Sequence, residues 1–569
     1  MARPVSRTAW RLATGQSPSR AAARAGEVFC CGPLLHAVQE AQIFADSKTF
    51  VDMPLLSDPE DVLAAFEALP NKGDADALRA FVNLHFAKAG EELVPQRPAD
   101  YIEEPPRLAR IPDAERRAWA MALNATWSEL CRVQSPEVAA APQRYSALPR
   151  RFPMVVPGGR FRETYYWDSF WIVLGLLVCG MTSTARSVVD NLLDDIRNFG
   201  FVPNGGRIYY LDRSQPPLLS RMVMEVFHAS RDESWLREVL PLLEVEYRFW
   251  MDPGSGRVVE LPKPAGSDGS VWRLNIYRSA RTGPRPESYA EDVDTCERAV
   301  ASGKDRGDMY RSLCSGAESG WDFSTRWFRS MHESGGAFAE PGGGLSTIDT
   351  CNVVPVDLNC FLYRAELDLA EAHILLDGEA SEKAQPFFAA ASTRKAAMDC
   401  HLWAGSNYHD YLLTTGGPSP VVSLVDWAAP LWCGLRGPDG CGGAPAMVDS
   451  LQQSGLLQAG GAASTAWDTK GSTQWDAPNA WPPLQHMLVD GLRRSEAGAQ
   501  LSRELREVWL ASCLAAWKES GHMYEKYDAS QPGQFGSGGE YEPQEGFGWS
   551  NGVVLVFLAE DAEEQALAS

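Results

Sequence analysis

The sequence is short of positive charge: 52 Lys and Arg stand against 74 Asp and Glu, a net charge of −22. A chain that acidic is repelled by nucleic-acid phosphates and by anionic membrane surfaces, so neither is expected as a partner, and an anionic substrate is disfavoured. Long apolar runs are also missing. Trp171 to Met181 covers 11 positions, against the roughly 20 needed to span a bilayer. The chain therefore reads as soluble. Twelve scattered cysteines in 569 residues are too few for a disulfide scaffold. No CxxC pair and no HExxH occurs, so neither a zinc ribbon nor a zincin site can be placed. The single GxSxG match, Gly548-Trp549-Ser550-Asn551-Gly552, follows Glu545-Gly546-Phe547, which offers no strand for a nucleophile elbow. No repeat of fixed period is found, which counts against helical-repeat arrays.

Residues 1–26 hold Arg3, Arg7, Arg11, Arg20 and Arg24, and no acid precedes Glu27. The stretch lacks the apolar core of a secretory signal and reads as a leader, disordered or targeting, outside a single domain spanning 27–569. It assigns no compartment.

What is present is helical periodicity. Apolar residues at i, i+3/i+4 mark Leu34–Phe44, Ala75–Ala89, Ala114–Val133, Asp168–Met181, Thr184–Asn198, Glu233–Met251, Val356–Leu376, Glu382–Trp403, Met447–Gly455, Trp481–Arg494, Leu501–Glu519 and Trp549–Glu560. No comparable series of alternating strands exists, so the fold class is all-α, either a solenoid or a closed double ring. The connections at Pro153–Trp167, Gly200–Pro217, Ala280–Asp292, Gly316–Trp327, Gly471–Pro483 and Glu525–Trp549 are long and rich in Gly, Pro, Trp and Arg. Long aromatic loops on a helical scaffold read as one active-site rim. Pro253–Gly269 and Thr414–Ala446 read as surface insertions.

Two of these loops carry dense chemistry. Pro157-Gly158-Gly159-Arg160-Phe161-Arg162-Glu163-Thr164-Tyr165-Tyr166-Trp167-Asp168 combines a turn, a forked donor at Arg160, a flat ring at Trp167 and an acid, Asp168, at a helix start. Gln474-Trp475-Asp476-Ala477-Pro478-Asn479-Ala480-Trp481-Pro482-Pro483 locks Gln474 and Asp476 ahead of another helix. Together the two stretches resemble the diagnostic sequences of the trehalase family of glycoside hydrolases, with wording nearest that of animal members. The resemblance runs from Gly32, through Asp46-Ser47-Lys48-Thr49-Phe50-Val51-Asp52, to Asn551.

The resemblance implies an (α/α)₆ toroid that hydrolyses α,α-trehalose to two glucoses with inversion, without metal or cofactor. It places the general acid at Asp322, in Glu318-Ser319-Gly320-Trp321-Asp322-Phe323, and the base at Glu525, in Tyr524-Glu525-Lys526-Tyr527-Asp528. Substrate contacts implied in the same way are Arg160, Trp167, Asp168, Asn204, Arg213, Ser214, Gln215, Arg285, Pro286, Glu287, Gly320 and Glu540. Read from the residues alone, Glu540 is the preferred base, because Gly536-Ser537-Gly538-Gly539 before it suggests a mobile lid. Arg160, Arg213 and Arg285 stand in three loops, where planar forks suit paired sugar hydroxyls. They are expected to lower the pKa of Glu525 and, as loop residues, to matter little for stability. Alternatives are another (α/α)₆ α-glucosidase and a catalytically inactive sugar-binding protein.

Overall fold

Acidic side chains set where several helices begin. Asp113 accepts from the Arg116 N–H and Asp232 from the Trp235 N–H, each satisfying a donor that the first turn leaves free. The computed structural model describes residues 20–264, 270–336, 344–469, 471–539 and 541–568. Twelve helices build the body: α1 (Ala114–Leu130), α2 (Asp168–Val178), α3 (Thr182–Phe199), α4 (Leu219–Ser230), α5 (Glu233–Met251), α6 (Val356–Asp377), α7 (Gln385–His401), α8 (Val425–Cys433), α9 (Gly443–Gln453), α10 (Pro482–Arg493), α11 (Ala499–Ser520) and α12 (Gly548–Ala568).

Helices α2, α4, α6, α8, α10 and α12 touch one another in that order, and α12 packs back on α2, closing a ring. The odd-numbered helices form an outer layer, with α3 against α2 and α4, α5 against α4 and α6, and α11 against α10 and α12. The architecture is the (α/α)₆ toroid. Composition explains the layering. Every residue of α8, and of α10 from Pro482 to Leu492, is buried, as an inner helix requires. The outer α3 buries Val188, Val189, Leu192 and Ile196 among others, but leaves Ser183, Arg197 and Asn198 exposed. Among the described residues no helix is long and apolar enough to cross a membrane.

The reading of Thr414–Ala446 as a surface insertion is wrong, because α8 lies within it and belongs to the inner ring. Pro253–Gly269 does contribute a strand, Val258–Pro262, of a two-stranded hairpin with Val271–Asn275; residues 265–269 lie outside the described part. Ahead of the ring, helices Arg20–Phe29, Pro33–Glu40, Pro59–Glu67 and Ala75–His85 share a second apolar cluster with Tyr165, Tyr209 and Tyr210. Ala25 is buried in that cluster, while residues 1–19 of the expected leader lie outside the described part. Lys48 ties the segment to the body, donating to Asp52 at 2.5 Å and Glu163 at 2.7 Å.

Candidate active site

Four of the six inner helices deliver their N-terminal ends to one cavity. Asp168 begins α2, Trp549 is the second residue of α12, Trp481 immediately precedes α10, and Gln215 lies just ahead of α4; all four line the cavity. Helix N-termini carry partial positive charge, which suits a site built around carboxylates. Its aromatic wall is made of Trp167, Trp475, Trp481 and Trp549. Trp475 and Trp481 stack 3.8 Å apart and within 3° of parallel, and Trp167 packs on Trp475 at 5.6 Å. Tryptophan faces set side by side are a platform for a sugar ring.

Asp322 and Glu525 line the same cavity although 203 residues separate them in sequence, 525 − 322. The Asp322 segment is held from below. Asp476 accepts from Ser324 Oγ at 2.8 Å, Thr325 N at 2.8 Å and Thr325 Oγ1 at 2.7 Å. Arg326, fully buried, forks onto Asp357 and Asp410. Gly320 makes the approach of this segment to Trp167 possible, since its φ is 76° and a Cβ there would sit 2.8 Å from the Trp167 ring.

Glu525 is buried. Its Oε1 accepts from the Tyr541 hydroxyl at 2.9 Å, while Oε2 is enclosed with no partner among the described residues. Burial raises its pKa, and Lys526, Tyr541 and Arg160 only partly offset the rise. The expected net lowering is therefore overturned, because desolvation outweighs the nearby cation. Asp168 is pushed well above the usual carboxylate range by burial, with the charges of Glu525 and Asp322 adding to it.

The three arginines differ. Arg213 donates to Asn204 Oδ1 at 2.6 Å and to Glu287 at 2.6 Å. Arg285 forks onto Asp292, at 2.6 Å and 3.0 Å. Both are 2% exposed, so the expectation that they matter little for stability fails for them. Arg160 is looser, 4.0 Å from Asp46, with its guanidinium 4.6 Å from the Tyr541 ring centroid and its Nε unpartnered. Glu287 stays ionised: burial raises its pKa, but Arg213 and Arg285 outweigh burial and leave it lowered.

Arg160, Trp167, Asp168, Asn204, Arg213, Gln215, Arg285, Glu287 and Gly320 all line the cavity. Ser214 and Pro286 do not. The Ser214 hydroxyl donates to the Val202 carbonyl and its N–H to Glu318, and the Pro286 carbonyl accepts from Gln39. They brace neighbouring contacts. Glu540 lies outside the described residues. Sequence reading gave no role to Lys48 or Tyr541, which also line the cavity. The signal was available for Lys48, in a quoted motif, and for Tyr541, beside Glu540. Among the described residues no group of His, Cys, Asp and Glu is arranged to hold a metal ion.

Three cavity-lining residues, Arg160, Glu287 and Glu525, each leave one buried polar atom without a partner among the described residues. Such enclosed groups are costly alone, and a polar ligand in the cavity could satisfy them.

The trehalase family model matches residues 42–561. The chain is 38% identical over 543 residues to a trehalase of Bombyx mori, covering 93% of this chain and 90% of that one. It is 39% identical over 544 residues to a trehalase of Homo sapiens, covering 94% and 89%. Among solved structures it is similar to the neutral trehalase of Saccharomyces cerevisiae, at 23% identity and a TM-score of 0.55, over 73% of this chain and 75% of that one.

Proposed function

The chain belongs to the trehalase family, and from that premise we propose that it hydrolyses α,α-trehalose with inversion, Asp322 acting as general acid and Glu525 as general base. It is a glycoside hydrolase, and its substrate is neutral and polar, as the charge of the chain favours. Trehalose joins two glucoses through both anomeric carbons, so water attacks one of them and the other keeps the glycosidic oxygen and its α configuration. An inverting site holds an acid at the glycosidic oxygen and a base at a water on the opposite face, about 6.5–9.5 Å apart.

The observation that carries the proposal is the asymmetric Glu525 carboxylate. One oxygen is held by Tyr541 and the other is enclosed and unpartnered, in the cavity that Asp322 also lines. A free, oriented carboxylate oxygen is what a base needs to take a proton from water. Asp322 donates its proton to the glycosidic oxygen as the bond breaks, and Glu525 Oε2 takes one from the water that attacks the anomeric carbon. The tryptophan wall supports the sugar faces. Arg160, Arg213, Glu287 and Asp168 offer bonds to hydroxyls.

The test is the anomer of the first product, read by NMR before mutarotation. Inversion releases one β-glucose and one α-glucose per trehalose; two α-glucoses would mean retention and would end the assignment. A panel of trehalose, maltose and starch separates this reading from a broader α-glucosidase, with cleavage expected for trehalose only.

A further inference from the structure

Lys526 is fully buried next to the base, and its bonds cross to the segment that carries the acid. The ammonium donates to Gln474 Oε1 at 2.9 Å and to the Gly538 carbonyl at 3.0 Å. Gln474 Nε2 in turn donates to the Asp322 carbonyl at 2.5 Å. Gln474 is itself fixed, its backbone carbonyl accepting from Asn479 Nδ2 and Trp481 Nε1, both at 2.9 Å. The Lys526 ammonium also lies 5.1 Å from the Trp481 ring centroid and 5.7 Å from that of Tyr541.

Among the described residues Lys526 forms no ion pair, although it is enclosed. A buried ammonium that touches only amide oxygens bears a desolvation cost no single contact relieves. Burial lowers its pKa, and the carboxylates that oppose this are Glu525 first, then Asp322 and Glu542. On the other side, the groups that face Glu525 are Lys526, Tyr541 and Arg160, with Asp168 as a neighbouring acid.

We infer that Lys526 is a positioning residue for the reaction: through Gln474 it braces the acid-bearing segment against the base-bearing one, and its ammonium charge acts on the neighbouring Glu525. The inference rests on Glu525 being the base. The two effects separate by substitution. Gln474→Met cuts the brace and leaves the charge, whereas Lys526→Met removes both. Gln474→Glu keeps the side-chain shape but places a carboxylate on the ammonium and loses the donor to Asp322.

The experiment is kcat and KM for trehalose across pH, with folding checked by circular dichroism. Lys526→Met is expected to lower kcat at the optimum by at least about 10-fold, to change KM by less than about 3-fold and to move the acid limb of kcat upward by about one pH unit, the scale of one nearby charge. Gln474→Met is expected to lower kcat with the acid limb in place, and Gln474→Glu to move that limb upward even if Lys526→Met does not fold. An acid limb unmoved in folded Lys526→Met, or in Gln474→Glu, overturns the inference. Glu525→Gln is run in parallel: if it retains the acid limb, the base assignment itself has failed, a result distinct from failure at Lys526.

Discussion

Tyr541 holds Glu525 by one oxygen, at 2.9 Å, and the Arg160 guanidinium lies over the same tyrosine, 4.6 Å from its ring centroid. The hydroxyl favours the ionised carboxylate, so it counters part of the rise that burial causes. Tyr541→Phe keeps the ring for Arg160 and loses the hydrogen bond. The expected result is an acid limb shifted to higher pH and kcat reduced by about 3- to 10-fold, the scale of one hydrogen bond to a charged group. A pH profile identical to that of the parent protein would remove Tyr541 from the base's environment.

Asp322→Asn and Glu525→Gln are each expected to leave a folded protein with activity down by at least about 10²-fold, the usual scale of acid or base catalysis. Asp322→Asn should also erase the alkaline limb from the remaining activity. Asp168 supplies the control, since it too is a carboxyl in the cavity and its pKa is raised by burial. Asp168→Asn keeps a polar side chain of the same shape there, so KM should rise while the alkaline limb survives. If Asp168→Asn instead erases that limb, the acid has been assigned to the wrong residue. Should Glu540→Gln abolish turnover while Glu525→Gln spares it, the base and substrate-contact roles must be exchanged.

The three arginines separate by burial. Lysine has no planar fork, so it cannot hold Asn204 and Glu287 as Arg213 does, nor grip Asp292 at two points as Arg285 does. Arg213→Lys and Arg285→Lys should cost most of the activity and also lower Tm, because weakening a buried pair costs up to about 3–5 kcal/mol. Arg160→Lys should cost activity with Tm nearly unchanged, since its nearest acid is 4.0 Å away. Differential scanning calorimetry alongside kcat/KM decides it. Equal Tm losses at all three positions would contradict the distinction.

How far the sequence reached is clearest in the helix count. Periodicity marked twelve helices and the ring contains twelve, but the two sets differ. Leu34–Phe44 and Ala75–Ala89 belong to the N-terminal cluster, whereas inner helices α4 and α8 went unmarked. Helix α8, Val-Asp-Trp-Ala-Ala-Pro-Leu-Trp-Cys, is short, contains Pro430 and is buried all round, so it has no polar face for a period to reveal. The cavity residues were legible because they sit in long motif-rich loops. Ser214 and Pro286 share those motifs yet bond to Val202, Glu318 and Gln39 outside the cavity, and spacing cannot tell a residue that meets substrate from one that braces its neighbours. The glycines before Glu540 suggested a lid. They also permit contact: a Cβ on Gly538 would come within 2.5 Å of the Gly471 carbonyl, and one on Gly539 within 2.7 Å of Gln474.

Stability should depend on pH through two buried groups with opposite signs. Glu246, bonded to the Tyr166 hydroxyl, is raised by burial to about 7. The folded protein then binds a proton that the unfolded chain releases above its usual pKa of 4.5. Its contribution to stability is full below that value and is lost as pH rises through about 7. His486, enclosed against Phe170 and Phe557, is lowered by burial to about 4 from 6.5. Here the unfolded chain binds the extra proton, so stability is full above 6.5 and falls as pH drops towards 4. Each shift corresponds to about 1.4 kcal/mol per pH unit. Comparing Tm at pH 7.5 and pH 5.5, Glu246→Gln should lose the gain on acidification and make the acid side relatively less stable. His486→Leu should do the reverse and make it relatively more stable. The unsubstituted protein should lie between the two. Tm differences of the same sign and size in all three proteins would show that neither group titrates between the folded and unfolded states.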